Sequence, residues 1–126
     1  MMDPKHEVPY ESLHLNYKFW LSDKEGKGIM GDGKWLILQK IEETGSLMAA
    51  TEALGITYRK TWGDLKKIEK MLGFNLLEKS RGGKDGGQTV LTEKGKKLVQ
   101  AFSQFHQRIG KDIKLAFDAF IEESEL

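Results

Sequence analysis

Apolar and polar residues alternate where the regular pattern of the chain begins. From Leu13 to Leu21 every odd-numbered residue is apolar, and the residues between them are mostly polar. A period of two is typical of a strand with one buried face, so the pattern predicts a strand over 12–21. The residues before it include both prolines and show no hydrophobic periodicity, which indicates an irregular N-terminal segment. The glycine-rich stretch 22–33 is predicted to be a loop.

The spacing of apolar residues changes to a helical period from residue 33 onward. It predicts three helices, over 33–44, 47–54 and 58–72. Each follows a residue whose side chain can cap a helix N-terminus: Asp32, Ser46 and Thr57. Each ends at a glycine that suits the left-handed position after a helix: Gly45, Gly55 and Gly73.

A hairpin and a long helix complete the pattern. Short strands are predicted over 74–79 and 89–91, and the glycine-rich tip between them carries two cations. Thr92 can cap a final helix that reaches about Glu123. The fold class is therefore mainly α with a small β component (α+β). The predicted chain is one domain with three parts: a strand arm over 12–21, a core over 33–91 and a helix over 92–123.

The final helix has an apolar seam that its own domain cannot cover. Its roughly 30 residues span about 45 Å, whereas a core of ~90 residues is only about 25–30 Å across. A second copy of the chain is the simplest cover, and a break near Gly110 that folds the helix back is the alternative. The seam continues past that glycine, which favours a dimer: Leu98, Phe102, Phe105, Ile109, Ile113, Ala116 and Phe120. The predicted dimer interface is formed by Leu98, Phe102, Phe105, Ile109, Ile113, Phe117 and Phe120.

Composition then limits the chemistry. The 126 residues are 39% hydrophobic and 31% charged, which is typical of a chain that folds. The lack of cysteine excludes disulfides, thiolate metal sites and cysteine nucleophiles, and the three histidines are scattered, so no metal site is predicted. No apolar run approaches the ~20 residues that span a bilayer. We therefore expect a cytoplasmic protein without a membrane partner.

The net charge of +1 conceals an uneven distribution. Residues 53–88 contain eight cations and four acids, whereas the residues before them are net acidic and those after them are balanced. A basic middle third is consistent with one anionic partner that binds on one face. The alternative is an ordinary solvated helix face, and charge alone does not separate the two.

Two glycine motifs resemble nucleotide-binding loops. Residues 26–31 match G-x-G-x-x-G, but three predicted helices follow before any strand, so the dinucleotide-binding unit is missing. Gly28, Gly33 and Lys34 fit a phosphate-binding loop, but Trp35 stands where a Mg²⁺-binding Ser or Thr is required. We therefore predict no cofactor and no enzymatic activity, and an enzyme based on this loop ranks last among the hypotheses.

The order of elements carries the functional prediction. Two capped helices joined by a tight turn at Gly55 and followed by a hairpin form a winged helix-turn-helix. The N-terminal end of the third helix would read base edges, and Arg59 can bond guanine through two hydrogen bonds. Later lysines, the N-terminus of the second helix and the hairpin tip would contact phosphates. The predicted DNA-binding residues are Ser46, Thr57, Tyr58, Arg59, Lys60, Lys66, Lys67, Arg81 and Lys84. Tyr58 either packs under its helix or touches DNA.

Three segments carry a resemblance to a known family. Residues 41–62, with the Tyr58-x-x-x-Trp62 element, and residues 82–95 resemble the N-terminal DNA-binding domain of the molybdate-responsive ModE regulators. Residues 72–79 are similar to the winged domain of LysR-type regulators. The resemblance implies a homodimer on a palindromic operator, joined through the first strand and the last helix.

The resemblance has one departure. ModE regulators carry a C-terminal molybdate-binding region, and this sequence ends at Leu126. Molybdate sensing is therefore not expected to carry over, and the effector is unknown. The resulting hypothesis is a sequence-specific transcription regulator that binds double-stranded DNA. The alternative is a winged-helix module that binds another protein.

Overall fold

The computed structural model describes residues 12–81 and 87–125. Within them the chain divides into two compact units. The winged-helix unit is formed by residues 18–103, and the C-terminal unit by 12–17 together with 104–125. Each unit is described separately below.

The described residues form four helices and four short strands. In chain order they are β1 (Trp20–Ser22), β2 (Gly28–Gly31), α1 (Asp32–Thr44), α2 (Leu47–Leu54), α3 (Tyr58–Leu72), β3 (Leu77–Lys79), β4 (Thr89–Leu91) and α4 (Glu93–Glu123). The strands pair antiparallel as β1 with β2 and β3 with β4. The prediction of a mainly α winged helix-turn-helix is confirmed, and the predicted bounds of α2, α3 and β4 agree with the structure.

The strand predicted over 12–21 is mostly wrong. Residues 13–19 are irregular, and pairing begins only at Trp20, opposite Gly31. A strand needs a hydrogen-bonded neighbour, and among the described residues β2 supplies one for three residues only. The loop predicted over 22–33 is also corrected, because β2 occupies part of it. Gly31 is needed there, since a Cβ would lie 2.7 Å from the carbonyl oxygen of Phe19.

The core of the winged-helix unit is built from aliphatic side chains of every helix. Leu38 on α1, Leu47 on α2 and Leu65 on α3 have no exposed surface. Leu76 and Leu91 close the core from the hairpin side. Burial of each such side chain stabilises the folded state by roughly 1.5–3 kcal/mol relative to leaving that side chain exposed. These contacts fix α3 against α1, α2 and the hairpin.

Two of the predicted helix caps are formed by side chains. Ser46 accepts the backbone N–H of Ala49 at 3.1 Å, and Thr92 accepts that of Gly95 at 3.0 Å. The Asp32 cap is wrong, because Gly31 occupies the cap position and Asp32 is already the first residue of α1. At Thr57 the cap position is correct, but its side chain makes no cap hydrogen bond.

Candidate nucleic-acid interface

Helix α3 has an inner face that is buried and an outer face that is cationic. Its buried residues are Thr61, Leu65, Ile68 and Glu69. The residues on the opposite side of the helix are exposed: Arg59, Lys60, Lys67 and Lys70. Because one turn contains 3.6 residues, Arg59 and Lys70, eleven positions apart, lie nearly in line about three turns apart, with Lys67 beside that line. The core therefore holds one face of α3 and leaves a row of cations outside.

Asp64, one of the two acids of α3, is held by two lysines. Its carboxylate accepts Lys34 from α1 at 3.0 Å and Lys60 at 3.2 Å. Hydrogen bonds from Lys34 and then Lys60 lower the pKa of Asp64 below its ordinary 3.8, so the ionised form is favoured. The ionised carboxylate offsets one of the two lysine charges, so the Lys34–Lys60–Asp64 group keeps a net positive charge, and the ion pair holds the exposed Lys60 beside Asp64.

Glu69, the other acid of α3, points inward. One carboxylate oxygen accepts the backbone N–H groups of Leu76 at 2.7 Å and Leu77 at 2.9 Å, and the other pairs with Lys66 at 3.1 Å. Burial acts to raise the pKa of Glu69, but the hydrogen bonds from Leu77, Lys66 and Leu76 outweigh it, so the pKa lies below its ordinary value. Glu69 thus connects α3 to the start of β3.

Lys66 and Lys67 are neighbours with different surroundings. The Lys66 ammonium pairs with the buried Glu69 and lies 5.5 Å from the centre of the Trp62 ring. Lys67 is exposed on the outer face. The prediction treated both as phosphate contacts. The structure places Lys66 in an ion pair of the fold and leaves Lys67 directed to solvent.

Besides Lys60, three predicted contact residues lie at the N-cap and in the first turn of α3. Thr57 is exposed, and its carbonyl accepts the Thr61 hydroxyl at 2.8 Å. Tyr58 is half-buried against the core, with its hydroxyl 3.4 Å from the hydroxyl of Thr89 on β4. Arg59 is exposed. Of the two alternatives for Tyr58, the structure supports packing, and the ring braces α3 against the hairpin.

Ser46 is 5% exposed, and its hydroxyl is engaged by the backbone N–H of Ala49. A direct contact from this hydroxyl to a phosphate would require breaking the cap. What the structure leaves available at this end of α2 is the helix terminus, where Met48 is 53% exposed.

Of the two predicted cations at the hairpin tip, one lies within the described residues. The backbone N–H of Ser80 donates to the carbonyl of Gln88 at 2.7 Å, which extends the pairing of β3 and β4 by one rung. Arg81 follows immediately and is exposed. Lys84 lies outside the described residues. The wing therefore begins as a pair of hydrogen-bonded strands, and the exposed cation Arg81 directly follows the last paired residue.

The predicted dimer interface is divided between the two units. In the winged-helix unit, Phe102 is 7% exposed and stacks on Trp35 with ring centres 5.8 Å apart, and Leu98 packs against the same core. These two residues belong to the interior of one chain. The other five lie in the C-terminal unit, where they are half-buried or exposed: Phe105, Ile109, Ile113, Phe117 and Phe120.

The C-terminal unit contains a groove of about 830 Å³ between the 13–17 segment and α4. Apolar residues on its walls include Leu13, Leu15, Tyr17, Ile113, Phe117 and Ile121. Several apolar side chains of this unit are also exposed, among them Leu115 at 68% and Phe120 at 56%. This unit therefore presents much apolar surface to solvent.

The residues that resemble a phosphate-binding loop are divided between a strand and a helix. Gly28 belongs to β2, Gly33 to α1, and the Lys34 ammonium is bound by Asp64. A loop wrapped around a phosphate is not formed. Among the described residues there is no cluster of three or more metal-binding side chains, and none of the helices there could span a membrane.

The architecture agrees with a family comparison. The profile of the lysR family of bacterial regulatory helix-turn-helix proteins matches residues 34–96, which include α1 from Lys34 onward, α2, α3 and the hairpin. This chain belongs to the lysR family. The match covers the helix-turn-helix and its wing, so the outer face of α3 in this lysR-family chain lies in the segment that defines the family.

Individual relatives extend the comparison. Over 82 residues the chain is 32% identical to MopB of Rhodobacter capsulatus, a molybdenum-pterin-binding protein, covering 65% of this chain and 30% of MopB. Over 90 residues it is 30% identical to ModE of Escherichia coli K12, a DNA-binding transcriptional dual regulator, covering 71% of this chain and 33% of ModE. The chain thus spans about a third of the length of these relatives. The crystal structure of ArgP from Mycobacterium tuberculosis is 20% identical, with a TM-score of 0.49 over 68% of this chain and 30% of that one.

Two features of the lysR-family site were not foreseen from sequence. Asp64 lies four residues after Lys60, a helical spacing that predicts an ion pair and could have found this contact. The second lysine, Lys34, comes from a different helix 30 positions away. No local pattern carries that information, because it depends on how α1 packs against α3.

Proposed function

We propose that this chain is a sequence-specific DNA-binding transcription regulator that acts as a homodimer on a palindromic operator. The observation that carries the proposal is the outer face of α3. It exposes Arg59, Lys60, Lys67 and Lys70, while both acids of the helix are engaged by lysines. A helix with one cationic face held away from the core can enter the major groove.

The exposed residues divide by role. Arg59, at the first turn of α3, would read guanine through paired hydrogen bonds, with Thr57 beside it. Lys60 and Lys67 would contact phosphates and fix the orientation of the helix. Arg81 and Lys84 of the wing would lie along the backbone, and the N-terminal end of α2 at Ser46 would face another phosphate. Lys66 and Tyr58 would support the site by bracing α3.

Exposed apolar surface supports the homodimer. In the C-terminal unit, Phe105 and Phe120 are 44% and 56% exposed on α4. In the winged-helix unit, Trp20 and Leu21 of β1 are 66% and 43% exposed. Apolar surface of this kind favours burial against a second copy. Two-fold symmetry would then separate the two α3 helices by about 34–36 Å, one turn of DNA, or a multiple of it.

Selection of bound fragments from random and genomic DNA at about 0.15 M salt tests the proposal. Enrichment of an inverted repeat is the expected result. Enrichment of a single, unrepeated site would contradict the proposed homodimer, but it would still support sequence-specific DNA binding. The selection is repeated with molybdate and tungstate, because the relative MopB is a molybdenum-pterin-binding protein. A change in the enriched sequences or in their yield would identify an oxyanion effector.

A protein-interaction module is the second candidate. Met48 and Trp62, on α2 and α3, are 53% and 42% exposed, and such side chains are typical of protein contacts. Salt dependence separates the two functions, since each phosphate contact contributes a slope of about −0.9 in log affinity against log salt. A slope near zero with any duplex would favour the protein-interaction module.

A further inference from the structure

Gly63 lies in the middle of the outer face of α3, and the fold does not require a glycine there. Its φ is not positive, as the positive-φ glycines are elsewhere in the chain. An added Cβ would meet nothing within 4 Å. At Gly95 of α4, by contrast, a Cβ would lie 2.8 Å from the carbonyl oxygen of Leu76. Packing within the chain therefore accounts for Gly95 and does not account for Gly63.

A glycine at this position weakens the helix. It is the sixth of the fifteen residues of α3, in the helix interior, where glycine is the least favourable residue after proline. The unfolded chain gains conformational freedom from it, and the folded helix gains no contact. An alanine would fit the space that the chain leaves open. Among the described residues no contact offsets this cost in the helix interior, which points to a partner outside the chain.

The surroundings of Gly63 indicate what that partner is. Arg59 lies one turn before it and Lys67 one turn after it on the same face, and both are exposed. The neighbouring Asp64 is already bound by Lys34 and Lys60. The glycine is thus a gap in the side-chain layer, framed by two cations. A polyanion that approaches the helix closely is complementary to this arrangement.

We propose that the major-groove edge of double-stranded DNA contacts the main chain of α3 at Gly63. The gap allows the helix axis to lie deeper in the groove than a side chain would permit, because glycine lets the backbone approach a ligand closely. Arg59 then reaches the bases on one side of the contact while Lys67 reaches the backbone on the other. This inference rests on the proposed DNA-binding function and assigns the point of closest approach.

The test uses the full chain with Gly63→Ala and Gly63→Gln. Gly33→Ala on α1 is the matched control, since a Cβ at Gly33 also meets nothing within 4 Å. Thermal unfolding and binding at about 50 mM salt to a duplex of about 30 base pairs, taken from the enriched fragments of the selection above, are measured for each. We expect Gly63→Ala to raise the Tm by about 4 °C, because alanine favours the helix. We expect it to weaken DNA binding by about tenfold, and Gly63→Gln to weaken it further.

Each outcome decides a different point. A Gly63→Ala variant that is more stable and binds as tightly as the wild type would overturn the inference. An equal loss of binding in Gly33→Ala would also overturn it, because the effect would then come from a stiffer helix in general. Failure of the wild-type chain to bind duplexes at this salt would contradict the proposed function itself, and the inference would fall with it.

Discussion

The carboxylate of Glu69 accepts the backbone N–H of Leu76 at 2.7 Å. The same oxygen accepts the N–H of Leu77, the first residue of β3, at 2.9 Å. One side chain of α3 therefore satisfies two buried backbone donors at the start of the wing. Since an unsatisfied buried N–H is costly, the position of the wing relative to α3 depends on this carboxylate.

We predict that Glu69→Gln destabilises the fold by about 1–3 kcal/mol, because the amide offers a weaker acceptor and loses the pair with Lys66. The folded pKa of Glu69 lies below its ordinary 4.5, so the ionised form favours folding. Its contribution is present above about pH 4.5 and is lost as the pH falls through the folded pKa. Urea unfolding between pH 3 and pH 7 (values chosen to bracket ~4.5) measures both effects.

The matched control is Glu42→Gln, which removes an exposed carboxylate of α1. This control should keep the acid dependence of the wild type, whereas Glu69→Gln should show a flatter one. Two variants with the same acid dependence would show that Glu69 does not stabilise the fold through its charge.

Gly95→Ala is predicted to destabilise the fold by about 1–3 kcal/mol, in spite of the better helix propensity of alanine. The added Cβ would lie 2.8 Å from the carbonyl oxygen of Leu76, and this oxygen also accepts the N–H of Thr92 at 2.8 Å. This bond ties the residue before β3 to the residue before α4, so a shift that relieves the clash would weaken it. Denaturant unfolding measures the change. An unchanged midpoint would show that α4 is free to shift.

Arg59→Ala is expected to remove sequence preference. The side chain is exposed at the first turn of α3, where a paired contact to guanine contributes roughly 1–3 kcal/mol against other bases. Affinity for a selected site should fall by about 5- to 150-fold, with little change on random DNA. Competition binding with both duplexes measures this. Equal losses on the two would assign Arg59 to the phosphate backbone instead.

Lys67→Ala and Lys66→Ala form a pair of neighbouring substitutions with different expected results. Lys67 is exposed, so its loss should weaken binding to all duplexes and reduce the salt slope by about 1. Lys66 is paired with the buried Glu69, so its loss should mainly lower the free energy of unfolding. Binding as a function of salt and urea unfolding separate the two. If Lys66→Ala changed the salt slope more than Lys67→Ala does, Lys66 would be the phosphate contact and Lys67 would not.

Phe120→Asp is predicted to weaken self-association. The ring is 56% exposed and stacks on Phe117 with ring centres 6.2 Å apart, so little of it is buried within one chain. Sedimentation equilibrium should show a dimer Kd raised by about tenfold or more, with the free energy of unfolding of the monomer changed by about 0.5 kcal/mol at most. Leu36→Asp, at 47% exposure on α1, is the control. Equal effects of the two would contradict an interface on α4.

Local patterns were sufficient for the order of the helices and the hairpin and for the bounds of α2, α3 and β4. The cap at Ser46, the turn at Gly55 and the cap at Thr92 each depend on residues within a few positions of one another, and all three were predicted. A capped helix encodes its own bounds, because the groups that satisfy its ends are neighbours in sequence. The winged helix-turn-helix followed from the order of such elements.

Pairing between distant residues was not predicted. The alternation from Leu13 to Leu21 has the period of a strand, but a strand forms only where a neighbour offers its backbone, and β2 does so only from Trp20. The glycines of β2 indicated a loop, since glycine is depleted in strands, and the need for Gly31 arises from the carbonyl of Phe19 across the pair. The positions of Phe102 and Lys66 likewise depend on Trp35 and Glu69.

The separation of the two faces of α3 has a consequence for how this protein can evolve. Thr61, Leu65, Ile68 and Glu69 hold the helix in place, and Arg59, Gly63 and Lys67 lie on its far side. No residue belongs to both sets. Under the proposed function, substitutions on the outer side would change which operators the chain selects while the buried contacts that stabilise the domain stay the same. A duplicated copy of the gene would then acquire a new set of target sites through surface changes alone, while the inherited core stays constant.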